Sequence, residues 1–193
     1  MGPIGVNKHN VGRIAERIVS NELEFRGFRV SDLNKEGTSA NADLLAAKEG
    51  KTLQIQVKGA TEDDGWWFGY GYCTEAIIAG KGKEEGRMFN RSTSSFYRAE
   101  IVILVSVKSP REYSCLVLPV ETAEKAAQEN LDREYRTLTK KDHRPKKPGK
   151  VWVSLDYVPK TTDDSRERSL KAEQEVLERY RDKWDVLDAL IPS

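Results

Sequence analysis

Residues 41–59, NADLLAAKEGKTLQIQVKG, read as two strands joined by a tight turn. Leu53, Ile55 and Val57 alternate with Gln54, Gln56 and Lys58, which is the period of a strand with one apolar and one polar face. Lys48-Glu49-Gly50-Lys51 interrupts the pattern, and its glycine supplies the positive φ of a hairpin turn. The strands are expected at about 41–47 and 52–59. A turn centred between Glu49 and Gly50 pairs Asp43 with Gln56, Leu44 with Ile55 and Ala46 with Leu53. Ala42, Leu44 and Ala46 then join the apolar face, while Asp43 shares the other face with Gln56 and Lys58. A slip of one residue would send Leu44 and Ala46 to the polar side, so the hydrophobic pattern opposes it.

A carboxylate and an amide oxygen that converge on one point suit a hard divalent cation, which takes oxygen ligands and keeps part of its water shell. Lys58 stands one strand repeat further on. An ammonium there can orient an attacking water and offset charge that builds on a phosphate. Upstream, Val11, Ile14, Ala15, Ile18, Val19, Leu23 and Phe25 recur at helical spacing, and Gly27 ends the helix. Phe28 to Leu33 reads as a short strand and residues 37–41 as a loop. Glu16 lies at the edge of the helix's apolar arc, next to Leu23, where it can reach the sheet. Glu22, nearer the middle of that arc, is its rival.

A helix with Glu16, a strand with Ala42-Asp43 and a strand ending Gln56-Val57-Lys58 resemble the PD-(D/E)XK nuclease superfamily. Here Ala42-Asp43 stands for "PD" and Gln56-Val57-Lys58 for "(D/E)XK". Glu16-Arg17 through Arg26-Gly27-Phe28-Arg29-Val30 resembles the first helix and strand of archaeal Holliday-junction resolvases. The QxK form resembles Mrr-type restriction enzymes and one group of homing endonucleases. The resemblance covers about residues 9–60, and the apolar strands further on match only generically. It implies magnesium- or manganese-dependent hydrolysis of phosphodiester bonds in DNA by an endonuclease. It also implies metal ligation by Glu16, Asp43, Gln56 and the Val57 carbonyl, with Lys58 beside the attacking water. The residues depart from the pattern at two places: alanine replaces the proline, and glutamine replaces the acidic ligand. The second departure leaves open a catalytically inactive DNA-binding module of the same fold.

The rest of the 193-residue chain fits around this unit. Residues 101–107 and 114–120 are continuous apolar runs, expected as buried strands joined at Ser109-Pro110. Residues 121–138 suggest a helix, 74–79 a short helix and 151–158 a last strand. The stretch GWWFGYGY at 65–72 reads as a loop, and Trp66 and Trp67 are candidates for stacking on bases. Core packing by these aromatics is about as plausible. KKDHRPKKPGK at 140–150 is expected as an exposed basic loop, with Lys146, Lys147 and Lys150 as candidate phosphate contacts or a solvated surface. Residues 160–169 form a polar linker. Leu170, Leu177, Tyr180, Trp184 and Leu187 mark an amphipathic C-terminal helix that packs on its own domain or, through a stripe at Leu170, Leu177, Trp184 and Ile191, suits a homodimer.

The expected fold is therefore α/β: a restriction-endonuclease-like core with a central mixed sheet flanked by helices, plus the C-terminal amphipathic helix. The nuclease-like domain spans 1–160, and 161–193 supply the linker and terminal helix. Charged residues make up 33% of the chain but nearly cancel at a net charge of +1, so any DNA-binding signal lies in their distribution. Cys73 and Cys115 are too far apart in sequence to suggest zinc or a disulfide framework, and His9 and His143 add no ligand pattern. No run approaches a membrane span, and no apolar leader opens the sequence. The expectation is a cytoplasmic, DNA-binding enzyme with no membrane partner and no nucleotide cofactor.

Overall fold

The computed structural model describes residues 8–34, 42–61, 66–69, 98–109, 111–136, 150–153 and 174–191. Helix α1 spans Lys8–Phe25, and strands β1, β2 and β3 span Arg29–Asp32, Leu44–Lys48 and Lys51–Thr61. Strand β4 (Trp66–Gly69) precedes β5 (Ile101–Ser109), β6 (Glu112–Pro119), helix α2 (Val120–Arg136) and β7 (Lys150–Val153). Helical residues 174–178 (α3) and α4 (Asp185–Ala189) follow. Five strands form a mixed sheet in the order β1-β2-β3-β5-β6, in which only the β3–β5 pair is parallel. This is the expected α/β class with a helix-flanked mixed sheet. Among the described residues, no helix is long and apolar enough to cross a membrane.

The hairpin has the expected register. Leu44 pairs with Ile55, Ala46 with Leu53, and Lys48 with Lys51. Glu49 and Gly50 carry φ values of +52° and +78°, so both turn residues are left-handed, and the two-residue turn matches the twist of its strands. Helix α1 closes in a Schellman motif. Gly27, at φ +84°, donates to the Glu24 carbonyl at 2.9 Å, and the Phe28 N–H donates to that of Leu23 at 3.1 Å.

Both faces of the sheet are covered. Val11, Ala15, Val19 and Leu23 of α1 pack with Leu44, Ala46, Leu53, Ile55, Val57, Ile101 and Ile103 in one core. Val102, Leu104, Leu116 and Leu118 face the other core with Trp66, Leu177 and the alanines of α2. Continuous apolar β5 is thus buried on both sides, as its composition requires. Each fully buried Leu or Ile side chain stabilises the fold by about 1.5–3 kcal/mol. Helix α1 comes close to β3 at Gly59, where a Cβ would lie 2.7 Å from the Ala15 Cβ and 2.8 Å from the Val11 carbonyl oxygen. Only glycine fits there, and this contact fixes α1 beside Lys58.

Three expectations change. Residues 66–69 form a strand, paired antiparallel with β7 in a separate two-stranded sheet, rather than a loop. The C-terminal helix is present but broken: Asp182 at φ +52° separates α3 from α4, and Arg181 forms a β-bridge to Leu116 between them. Leu177 enters one core while Trp184, Leu187 and Ile191 enter the other, so these residues do not form one outward stripe. The polar face of β3 is partly enclosed, with Gln56 only 2% exposed. The expected features at 37–41, 74–79, 140–149, 154–158, 160–169 and Leu170 lie outside the described residues.

Candidate functional site

The site lies where β2 and β3 part. Strand β2 begins at Leu44 opposite Ile55, whereas β3 continues to Thr61 along β5. At this fork the Asp43 N–H donates to the Ile55 carbonyl at 2.9 Å, and the Val57 N–H donates to Asp43 Oδ2 at 2.8 Å. A side-chain carboxylate therefore receives an N–H of β3 just past the end of its ladder with β2. Gln56 is the one buried polar side chain among the described residues. Its Nε2 donates to Asp43 Oδ2 and also lies 3.3 Å from the Val57 carbonyl oxygen. The Asp43 carboxylate, the Gln56 amide and the Val57 carbonyl thus meet at one point.

The end of β1 holds Asp43 from its other side. Leu33 N–H donates to the Asp43 carbonyl at 2.9 Å, and Asn34 Nδ2 donates to Asp43 Oδ1 at 3.2 Å. Asn34 is itself turned by its backbone N–H, which donates to Asp32 Oδ1 at 3.0 Å. Neither Asp32 nor Asn34 stands out in the sequence. Their role depends on the β1–β2 pairing, which sets Asp32 opposite Leu44.

Glu16 reaches this end of the sheet from α1. Its carboxyl pKa is raised, first by burial and then by the charges of Asp43 and Asp32, while Lys58 and Arg13 oppose the shift. The charges of Asp43 and Asp32 thus bear on the Glu16 carboxyl at the fork, with Lys58 and Arg13 as counter-charges to it. Lys58 is half-buried, its Cα opposite Leu104 of β5. The rival acid Glu22 is engaged elsewhere, bound to Arg26 and accepting from the Tyr113 hydroxyl at 2.9 Å.

Among the described residues, no three His, Cys, Asp or Glu side chains form a group that could hold a metal alone. Any cation here would need neutral oxygens. The Val57 carbonyl supplies one, and a half-turn of the Gln56 amide about its last side-chain bond supplies a second in place of its NH2. Two neutral oxygens with the Asp43 and Glu16 carboxylates fit a hard divalent cation that retains water.

The expected nucleic-acid contacts fare differently. Trp66 is 3% exposed, and its indole N–H donates to the Val105 carbonyl at 2.9 Å, so it is a core residue and not a base-stacking surface. Its body fills the second core and its one donor is satisfied inside it, which leaves no open ring face. Lys146, Lys147 and the side chains of Trp67 and Lys150 lie outside what the structure describes.

No family model matches the chain, and no curated protein matches it. Among solved structures the chain is similar to a bacterial homing endonuclease, I-Ssp6803I, at 12% identity. The similarity covers 90% of this chain and 94% of that one at a TM-score of 0.38. A likeness of this degree assigns neither a family nor an activity.

Proposed function

We propose that the protein is a metal-dependent DNA endonuclease of the PD-(D/E)XK type, hydrolysing phosphodiester bonds with magnesium or manganese. The observation that carries this reading is the convergence of Asp43, the Gln56 amide and the Val57 carbonyl where β2 leaves β3. Glu16 and Lys58 are within electrostatic reach of the same corner. In this reading the unit carrying the chemistry spans residues 1–160, and residues 161–193 are a linker and C-terminal helical segment.

In this reading Glu16, Asp43, Gln56 and the Val57 carbonyl hold the ion, which supplies Lewis acidity at a phosphoryl oxygen. Asn34 and the Val57 N–H fix the plane of the Asp43 carboxylate. Lys58 orients the attacking water and offsets charge on the phosphate as water adds across one P–O ester bond, leaving a phosphate monoester and a hydroxyl. Burial of Gln56 keeps its amide within reach of Asp43 without competition from bulk water.

One observation favours a second reading, a DNA-binding module without catalysis. Gln56 stands where an acid would sit, and its NH2 already satisfies Asp43 without a cation.

The test is incubation of the protein with supercoiled, linear, single-stranded and branched DNA in magnesium, manganese or chelator. The nuclease reading expects cleavage of at least one form with metal and none with chelator, abolished in Lys58→Ala while DNA binding is nearly unchanged. Binding without cleavage on every form would select the second reading. Undiminished cleavage by a folded Lys58→Ala protein would remove the site.

A further inference from the structure

Beside the fork, α1 carries a polar stripe of which the proposed hydrolysis uses only Glu16. Arg13, Glu16, Arg17 and Ser20 follow the three- and four-residue spacing that aligns side chains along one helix face. This stripe borders the buried one formed by Val11, Ala15, Val19 and Leu23. Arg13, Glu16, Arg17 and Ser20 line a cleft of about 110 Å³ that Asp32 and Leu44 close from the sheet side. The volume falls well below the roughly 300–1,000 Å³ of a small-molecule pocket, so the cleft suits one compact group.

Charge decides which group. Glu16 and Asp32 balance Arg13 and Arg17, so the cleft by itself attracts no anion strongly. A divalent cation at the neighbouring fork, sharing Glu16, would leave the corner cationic. Guanidinium groups then offer planar, paired donors that match a phosphate, with the Ser20 hydroxyl as a further donor. Arg13 and Arg17 are exposed, and Arg13 already acts electrostatically on Glu16.

We propose that this cleft between α1 and β1 is a subsite for a DNA phosphate adjoining the one that is cut, held by Arg13 and Arg17. The subsite rests on the nuclease reading above. It makes phosphate and metal binding mutually reinforcing, because each supplies the charge that the other lacks. It also requires a substrate with consecutive phosphates, a polynucleotide rather than a mononucleotide.

The test measures binding of a fluorescently labelled DNA duplex across a salt series with calcium as the ion, for wild type, Arg13→Gln, Arg17→Gln and the double variant. Glutamine is nearly as good a helix former as arginine, so α1 is kept. Each lost contact lowers the slope of log affinity against log salt by about 0.9. Lysine at either position keeps the slope, and calorimetric metal affinity without DNA is not lowered in the glutamine variants, because each removes a positive charge from beside the cation. An unchanged slope in the double variant, with wild type still binding metal and cleaving DNA, overturns the subsite and leaves the nuclease reading standing. Weakened metal binding without DNA also overturns it, because the arginines would then act on the ligands instead. A wild type that neither binds metal nor cleaves removes both.

Discussion

Asp43 takes the backbone N–H of Val57 at 2.8 Å, so one carboxylate closes the fork between β2 and β3, and Gln56 Nε2 links it to the Val57 carbonyl. Asn34 holds the other oxygen of that carboxylate at 3.2 Å. Asn34→Ala frees Asp43 Oδ1 to rotate away from the site while removing no proposed ligand. Loss of an outer partner of a ligand lowers metal affinity by about 10–100-fold. Calorimetric titration of manganese should show such a loss with an unchanged unfolding midpoint. Unchanged affinity would mean that β1 does not orient Asp43.

Gly59 fixes the position of α1. The Cβ of Gly59→Ala would meet the Ala15 Cβ and the Val11 carbonyl oxygen at under 3 Å, so the helix must move. Overpacking of this kind costs about 1–3 kcal/mol. Urea unfolding should show that loss, together with weaker metal binding because Glu16 moves with the helix. A variant as stable as wild type would contradict the close approach of α1 to β3.

Trp66 should matter for stability and not for DNA. Trp66→Phe removes the bond to the Val105 carbonyl and leaves that oxygen buried, a cost of about 1–3 kcal/mol. Denaturation should register it, while DNA affinity measured on the folded variant stays the same. Lost DNA binding with unchanged stability would restore the base-stacking role.

Alkaline pH probes the opposite end of α1. The Tyr113 hydroxyl, donating to Glu22, is pushed up to about 12 from 10.0, chiefly by that hydrogen bond. The Cys115 thiol is pushed up to about 12 from 9.0, chiefly by burial. Both groups hold their protons more tightly in the folded chain, so their stabilisation is complete below pH 9 and is lost as pH rises toward 12. The melting temperature should fall across that window, with a shallower fall above pH 10 in Tyr113→Phe. Tyr113 is 39% exposed, so solvent screens its share and the difference should be modest. Superimposable alkaline limbs would place Tyr113 away from Glu22.

The hairpin was legible in the sequence because its two-residue turn and period-2 pattern leave one register that buries Leu44, Ala46, Leu53 and Ile55 together. Strands β5 and β6 were legible as unbroken apolar runs. Strand β4 was not, because its aromatics and glycines match loop chemistry and its partner β7 lies more than eighty residues on. The terminal segment misled for a different reason. Leu177, Trp184 and Ile191 fit one helical stripe, yet a left-handed Asp182 turns the chain so that they enter two cores on opposite faces of the sheet. Glu16, Asp43, Gln56 and Lys58 could be singled out by local pattern. Asp32, Asn34 and the cleft of Arg13 and Arg17 depend on long-range pairing that no local window contains.

The central claim is that the meeting point of Asp43, Gln56 and the Val57 carbonyl is a divalent-cation site. Calorimetric titration of manganese into wild type, Gln56→Glu and Gln56→Ala tests it most directly, because Gln56 offers a neutral oxygen where a carboxylate would bind more strongly. The account predicts weak binding by wild type, tighter binding by Gln56→Glu and weaker binding by Gln56→Ala. Equal affinity in all three folded proteins would contradict it.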